Sequence, residues 1–194
     1  MPPLPPADIA LRTPLVRTMP AGARLHRFHD RAFGPIWFGR AGTGRLDDAD
    51  HSYGVLYVAE GEDGAFSETF LRRPGRNLID PAVLARKSYT ILSCRRDLVL
   101  ARLHGRGLGV IGATAEVTHG GLPYDVPQAW SKAQHDHPAR FDGILYRSRH
   151  DDDELCLALF DRVEPDIGEV ERRPDLDEDW FWRTAERYGV GLAP

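Results

Sequence analysis

GVLYVAEGEDGAFSETFLRR, Gly54 to Arg73, carries two periods in succession. Over its first part apolar side chains alternate, with Val55, Tyr57 and Ala59 on one face and Leu56 and Val58 on the other, which is the pattern of a strand. After Gly61 the spacing lengthens: Ala65, Phe66, Thr69 and Phe70 recur at helical intervals, acidic residues open the segment and Arg72 and Arg73 close it, as the helix dipole favours. A strand that runs into a short helix, in a chain of other short strands, predicts an α+β domain.

Working upstream, ARLHRFH (Ala23 to His29) alternates weakly and reads as a strand. Between the two strands lies FGPIWFGRAGTGRLDDADHSYG, with four glycines before Asp47 and with Arg40 and Arg45, so its backbone can approach a ligand closely. Residues 1–22 are proline-rich and are expected to form an extended arm, leaving 23–194 as one domain. Downstream, SYTILSC, DLVLARL and the region of GATAEVT read as strands, with GRGLG as a turn. YDVPQAWSKAQHDH (Tyr124 to His137) reads as a helix with Asp125 as N-cap and Pro127 in its first turn. FDGILYRS and ELCLALFDR follow as a strand pair, and DLDEDWFWRTAERYG as a terminal helix stopped by Gly189. The expected architecture is a single α+β domain of mixed or antiparallel sheet with flanking helices.

At 194 residues, 42% hydrophobic and 28% charged, the chain has the composition of an ordinary globular domain with a sizeable core. Its formal net charge is −4 and its arginines are scattered, so direct nucleic-acid binding is not expected, while a small anionic ligand remains compatible. The two cysteines, Cys94 and Cys156, sit inside apolar runs and read as buried free thiols of a reducing compartment. No secretory signal or membrane-length apolar run is present, so a cytoplasmic location is expected. HDH (His135 to His137) and RHDDDE (Arg149 to Glu154) lack ligand spacing on one side of an element, and no metal is expected. There is no G-x-S-x-G elbow, a Rossmann mode of dinucleotide binding is not favoured, and Trp37, Trp130, Trp180 and Trp182 are read as core or edge packing.

Five polar or aromatic residues lie on or beside the expected elements: Arg27, Arg45, Tyr57, Glu68 and Ser148, the last between Arg147 and Arg149 at the mouth of the hairpin. Singly each has an ordinary reading as surface cation, half-buried ring, solvated carboxylate or turn residue. Together they have the chemistry needed to cleave a dinucleotide at its glycosidic bond. Arginine forks bind pyrophosphate, a flat ring accepts a flat leaving base, and a carboxylate stabilises an oxocarbenium-like transition state.

The succession RLHRF, GTGRLDD, GVLYVAE, AFSETFLR, FDGILYRSR and LALF, over roughly residues 23 to 163, resembles the RES domain, a family named for its Arg, Glu and Ser and found as toxins of bacterial toxin–antitoxin pairs. The resemblance implies an ADP-ribosyltransferase-like fold and NAD+ as substrate. By it Glu68 is the catalytic glutamate, Arg27 and Arg45 bind the cofactor pyrophosphate, Tyr57 stacks, and Ser148 hydrogen-bonds the cofactor or Glu68. It implies an NAD+ glycohydrolase or phosphorylase, with a protein ADP-ribosyltransferase or a non-catalytic antitoxin-binding module as alternatives. The expected partner is a helix-turn-helix antitoxin of Xre type whose terminal segment plugs a cleft walled by Arg27, Arg45 and Arg147. Homo-oligomerisation is left open.

Overall fold

In the computed structural model, which describes residues 3–73, 75 and 77–194, the tyrosine strand is Val55–Ala59 (β3) and the helix after it Glu62–Phe70 (α1). The other strands are Val16–Met19 (β1), Arg24–Asp30 (β2), Leu78–Ile79 (β4), Lys87–Cys94 (β5), Leu98–Arg102 (β6), Gly143–Arg147 (β7), Leu155–Phe160 (β8), Ile167–Arg173 (β9) and Gly191–Leu192 (β10). The other helices are Pro81–Ala85 (α2), Arg106–Ile111 (α3), Glu116–His119 (α4), Asp125–His135 (α5) and Asp179–Arg187 (α6). Eight strands form one sheet in the order β1-β6-β7-β8-β3-β2-β5-β9, and β4 and β10 form a parallel pair apart from it. Within the large sheet β6 and β7 are parallel and all other neighbours antiparallel. This is the expected α+β domain.

The two faces read from the alternation of β3 belong to two different cores. Val55, Tyr57 and Ala59 face a cluster with Phe28, Phe66, Trp130, Tyr146 and Phe181, covered by α1, α5 and α6. Leu56 and Val58 face a leucine-rich cluster with Leu25, Leu92, Leu100, Leu145 and Leu157. Burial of a strand on both faces explains why its sequence is a continuous apolar run. On the helical face Phe28, Phe66, Phe70 and Phe181 meet edge-on or tilted, with ring centroids 5.0–6.3 Å apart, the arrangement that ring quadrupoles favour.

Two expected elements differ. GRGLG is part of helix α3 rather than a turn, and GATAEVT holds the single-turn helix α4 rather than a strand. The parallel pairing of β6 with β7 requires a crossover, and α3, α4 and α5 make it. The crossover opens with GLGVIG, Gly107 to Gly112, which does spell G-x-G-x-x-G after a strand. There Gly107 permits close packing, since a Cβ would collide with the Arg102 carbonyl, and α3 ends after six residues. Helix α5 begins one residue earlier than expected, with Tyr124 at the cap and Asp125 inside the first turn.

Strand β9, IGEVERR, escapes the apolar pattern because it is an edge strand whose residues after Ile167 are exposed or half-buried. The proline-rich arm is an edge too. Its β1 pairs residue for residue with β6, Arg102 N–H donates to the Leu15 carbonyl (2.8 Å), and the Trp130 indole N–H donates to the Pro3 carbonyl (2.8 Å). Arg12 donates to the Ile111 carbonyl (2.8 Å), fixing the arm over α3. Removal of residues 1–19 exposes the edge of β6 and orphans the buried indole, a loss of about 3 kcal/mol at roughly 1 kcal/mol per hydrogen bond. Thermal unfolding of the truncated chain is expected roughly 6–12 °C below that of the full chain. An unchanged melting temperature would show that the arm contributes nothing to the fold.

Candidate active site

Strands β2 and β3 pair at one position only, His26 opposite Ala59. At the other end of the same edge of β3, Val55 exchanges two backbone hydrogen bonds with Gly39 of the glycine-rich loop (2.9 and 3.0 Å). Between these two bridges the sheet stands open. The opening is a cleft of about 570 Å³, the size of a small-molecule site, and β2, the glycine-rich loop, β3, α1 and the β7–β8 turn all contribute to its walls. Of the sequence-predicted site residues, Arg27, Arg45, Tyr57 and Glu68 all line it.

The motif GTGRLDD folds around one carboxylate. Asp47 accepts from the Gly44 N–H (2.7 Å) and from the Tyr57 hydroxyl (2.8 Å), which in turn accepts from the Leu46 N–H (2.9 Å). A Cβ on Gly44 would stand 2.7 Å from the Tyr57 hydroxyl, so no larger residue fits. Gln128 of α5 donates to the Gly42 and Gly44 carbonyls (2.8 and 3.1 Å) and closes the loop from the other side. With its hydroxyl held from two sides, Tyr57 presents its ring to the cleft in a fixed orientation. Burial, together with the neighbouring Asp47 carboxylate, raises its pKa well above the ordinary value, so Tyr57 is a neutral surface and not a base.

Arg45, the residue after Gly44, donates to the Thr118 carbonyl (2.6 Å) and holds its second guanidinium nitrogen 3.7 Å from Glu68 Oε2. The other oxygen, Glu68 Oε1, accepts from the Arg149 backbone N–H (2.9 Å). Ser148 explains why that amide points at α1. Its side chain is fully buried, 3.0 Å from the Ser67 hydroxyl, and it accepts from the His150 N–H (3.2 Å). The Ser148 N–H donates to the Glu154 carbonyl (2.9 Å), continuing the β7–β8 ladder. Ser148 therefore bolts the turn to the helix residue beside Glu68 and does not itself line the cleft. Arg147, expected as a wall of the cleft, turns away and donates to the Asp152 carbonyl within the hairpin. Arg149 lines the cleft in its place.

Arg27 is a half-buried cation without a carboxylate partner among the described residues. It donates to the Pro35 carbonyl (2.8 Å), and burial lowers its pKa to about 10, which leaves it charged at neutral pH. Two residues that the sequence reading does not single out complete the walls. Tyr146 is 2% exposed, lines the cleft, and its hydroxyl has no hydrogen-bond partner among the described residues. Burial and then the Glu68 charge raise its pKa well above the ordinary value. The alternation of GILYR, which puts Ile144 and Tyr146 on the same face, is the signal that finds it. His150 also lines the cleft, its pKa lowered mainly by burial. The arrangement offers a cation without a carboxylate among the described residues, a carboxylate held by one amide donor and one ion pair, and two neutral phenols. It can bind an anion at one end and stabilise positive charge at the other.

A family model described as RES domain matches residues 23–183. In the search of curated proteins no significant match is found. Among solved structures, a chain of the M. tuberculosis MbcT–MbcA toxin–antitoxin complex superposes with a TM-score of 0.68 at 13% identity, covering 87% of this chain and 92% of the other. At that identity the likeness is one of fold.

Two substitutions test the local architecture. Gly44→Ala is expected to destabilise by roughly 1–3 kcal/mol, because the new methyl displaces the Asp47–Tyr57 pair. Ser148→Ala should cost about 1 kcal/mol of stability for its buried hydrogen bonds. Both are read by thermal or chemical unfolding, and variants as stable as the parent would refute these contacts.

Proposed function

The chain belongs to the RES domain family, and from that premise we propose that it is the toxin of a toxin–antitoxin pair and cleaves the nicotinamide–ribose bond of NAD+. The observation that supports this reading is the charge layout of the cleft: a half-buried Arg27 with no carboxylate partner among the described residues, in the same cavity as a Glu68 carboxylate met by the Arg45 guanidinium and the Arg149 amide. A half-buried guanidinium without a carboxylate is stabilised when an anion arrives, and a pyrophosphate matches its fork. Arg27 and Arg45 bind the pyrophosphate, and the fixed ring of Tyr57 lies against nicotinamide.

In the reaction the C1′–N bond breaks and its electron pair moves to the pyridinium nitrogen, so nicotinamide leaves neutral and needs no general acid. Positive charge appears on the ribose, where Glu68 stabilises it. Water or inorganic phosphate then adds at C1′, giving ADP-ribose or its 1′-phosphate and releasing a proton to solvent. The neutral Tyr146 hydroxyl donates a hydrogen bond to the substrate in the Glu68 region, and Ser148, through the Arg149 amide, holds Glu68 in place. The partner is a helix-turn-helix antitoxin of Xre type, whose terminal segment occupies the same cationic cleft and shuts off turnover. The solved neighbour, a toxin–antitoxin complex, supports a proteinaceous partner of this kind.

The test is incubation of the purified protein with NAD+, with and without phosphate, and product analysis by mass. Nicotinamide with ADP-ribose identifies hydrolysis, and a phosphate adduct identifies phosphorolysis. Mass gained by a protein identifies ADP-ribosyl transfer, and an unchanged NAD+ pool refutes the reading. Glu68→Gln should retain the fold and much of the affinity but lose about 10²-fold or more in kcat, since the amide keeps the shape without the charge. Arg27→Ala should weaken NAD+ binding by about 2 kcal/mol in a calorimetric titration. NAD+ affinity equal to the parent's in that variant would place the pyrophosphate elsewhere.

A further inference from the structure

Phe33 and Trp37 are 50% and 51% exposed, although both line the cleft. Their rings lie against each other with centroids 5.4 Å apart at 35°. Trp37 is thus not the packing residue that its sequence context suggests. The backbone between these rings is held by the guanidinium discussed above: Arg27 donates to the Pro35 carbonyl at 2.8 Å and lies 3.5 Å from the Trp37 carbonyl. Aromatic surface and half-buried cation therefore form one unit. Around it the lining residues Asp30 and Lys87 are charged, so the apolar surface is only two rings wide.

An exposed aromatic surface beside a half-buried cation that has no carboxylate among the described residues fits a planar base joined through a sugar to a phosphate, because one contact takes the ring and the other the anion. Two rings match one heterocycle and are too little area for a protein segment to dock on. We propose that Phe33 and Trp37 are the stacking site for the second base of the substrate, an adenine, and that this contact makes the cleft select a dinucleotide over a mononucleotide. The proposal rests on the NAD+ reading and adds a specificity determinant to it. Tyr57, Tyr146 and Glu68 serve the nicotinamide riboside half of the substrate, Arg27 the bridging phosphates, and the aromatic pair the far base.

The experiment compares NAD+ with nicotinamide mononucleotide as substrates for the full chain and for Trp37→Ala, Phe33→Ala and Trp37→Phe, with adenosine monophosphate as competitor. Base stacking on an aromatic side chain is worth a factor of roughly 10 in affinity. Trp37→Ala is expected to raise the KM for NAD+ about 10-fold at unchanged kcat, to leave kcat/KM for the mononucleotide unaltered, and to weaken inhibition by adenosine monophosphate to the same degree. Phe33→Ala should act in the same direction, and Trp37→Phe should recover most of the loss. Both side chains are half exposed, so melting temperatures should not move. If the parent cleaves NAD+ and the alanine variants match it, or lose activity on both nucleotides equally, the stacking site is refuted while the NAD+ reading stands. A parent that cleaves neither nucleotide refutes both. Loss of antitoxin binding in Trp37→Ala with unaltered NAD+ kinetics would reassign the pair to the protein partner and overturn the proposal.

Discussion

The single-residue pairing of β2 with β3 is the constraint on which the rest of the molecule depends. Each of the two strands is fully paired on its other side, β2 with β5 over seven residues and β3 with β8 over five, so the sheet is firm up to the edges of the gap. Continued pairing past His26 and Ala59 would set Arg27 against β3 and fill the space with ladder hydrogen bonds. The bridge from Val55 to Gly39 lets the glycine-rich loop close the far end. What remains is a window in an otherwise continuous sheet, framed by backbone that cannot move without breaking strands. Site residues on such rigid elements are held to the precision that preorganised chemistry requires.

Within that window charge is distributed against the grain of the whole chain. The protein carries a net charge of −4, yet Arg27, Arg45, Arg72, Lys87 and Arg149 line the cleft with Glu68 and Asp30 as its carboxylates. Burying cations costs free energy unless something compensates it. Arg45 is compensated in part by Glu68 and the Thr118 carbonyl, although its Nε is buried without a partner among the described residues. Among the described residues Arg27 has carbonyl oxygen alone. The fold absorbs this cost through its two apolar cores and leaves a site whose cations an anionic ligand would compensate. The same cationic field would draw an acidic segment of a partner as readily as a nucleotide.

Order in the site is relayed outward from few contacts. Asp47 ties Gly44 to Tyr57, Arg45 follows in sequence and reaches Glu68, and Glu68 is met from behind by the turn that Ser148 fastens to Ser67. A serine at this place acts by geometry: its buried hydroxyl shapes the turn so that the next backbone amide meets the carboxylate. Such polar contacts are worth more inside the protein than on its surface, since an orphaned partner is left dry.

The sequence by itself determined the elements whose pattern is local. The alternation of β3 assigned its side chains to two opposite cores, the helical spacing after Gly61 placed Glu68 on α1, and the apolar runs on either side of RSRHDDD announced the β7–β8 hairpin. Arg27, Arg45, Tyr57 and Glu68 were legible as a set because each sits within a recognisable strand, loop or helix motif. Only the tertiary structure decided the rest. Strand β9 and the arm strand β1 exist because neighbouring edges offer them backbone partners, a gain that no side-chain period records. The helices α3 and α4 arise from the parallel crossover rather than from propensity. The choice of Arg149 over Arg147 as a cleft residue, and of Ser148 as an anchor behind the glutamate, was set by the turn geometry beyond the end of β7. Past the last ladder pair the alternation rule has no backbone to act on, and side-chain direction is fixed by contacts between residues 81 positions apart in the chain.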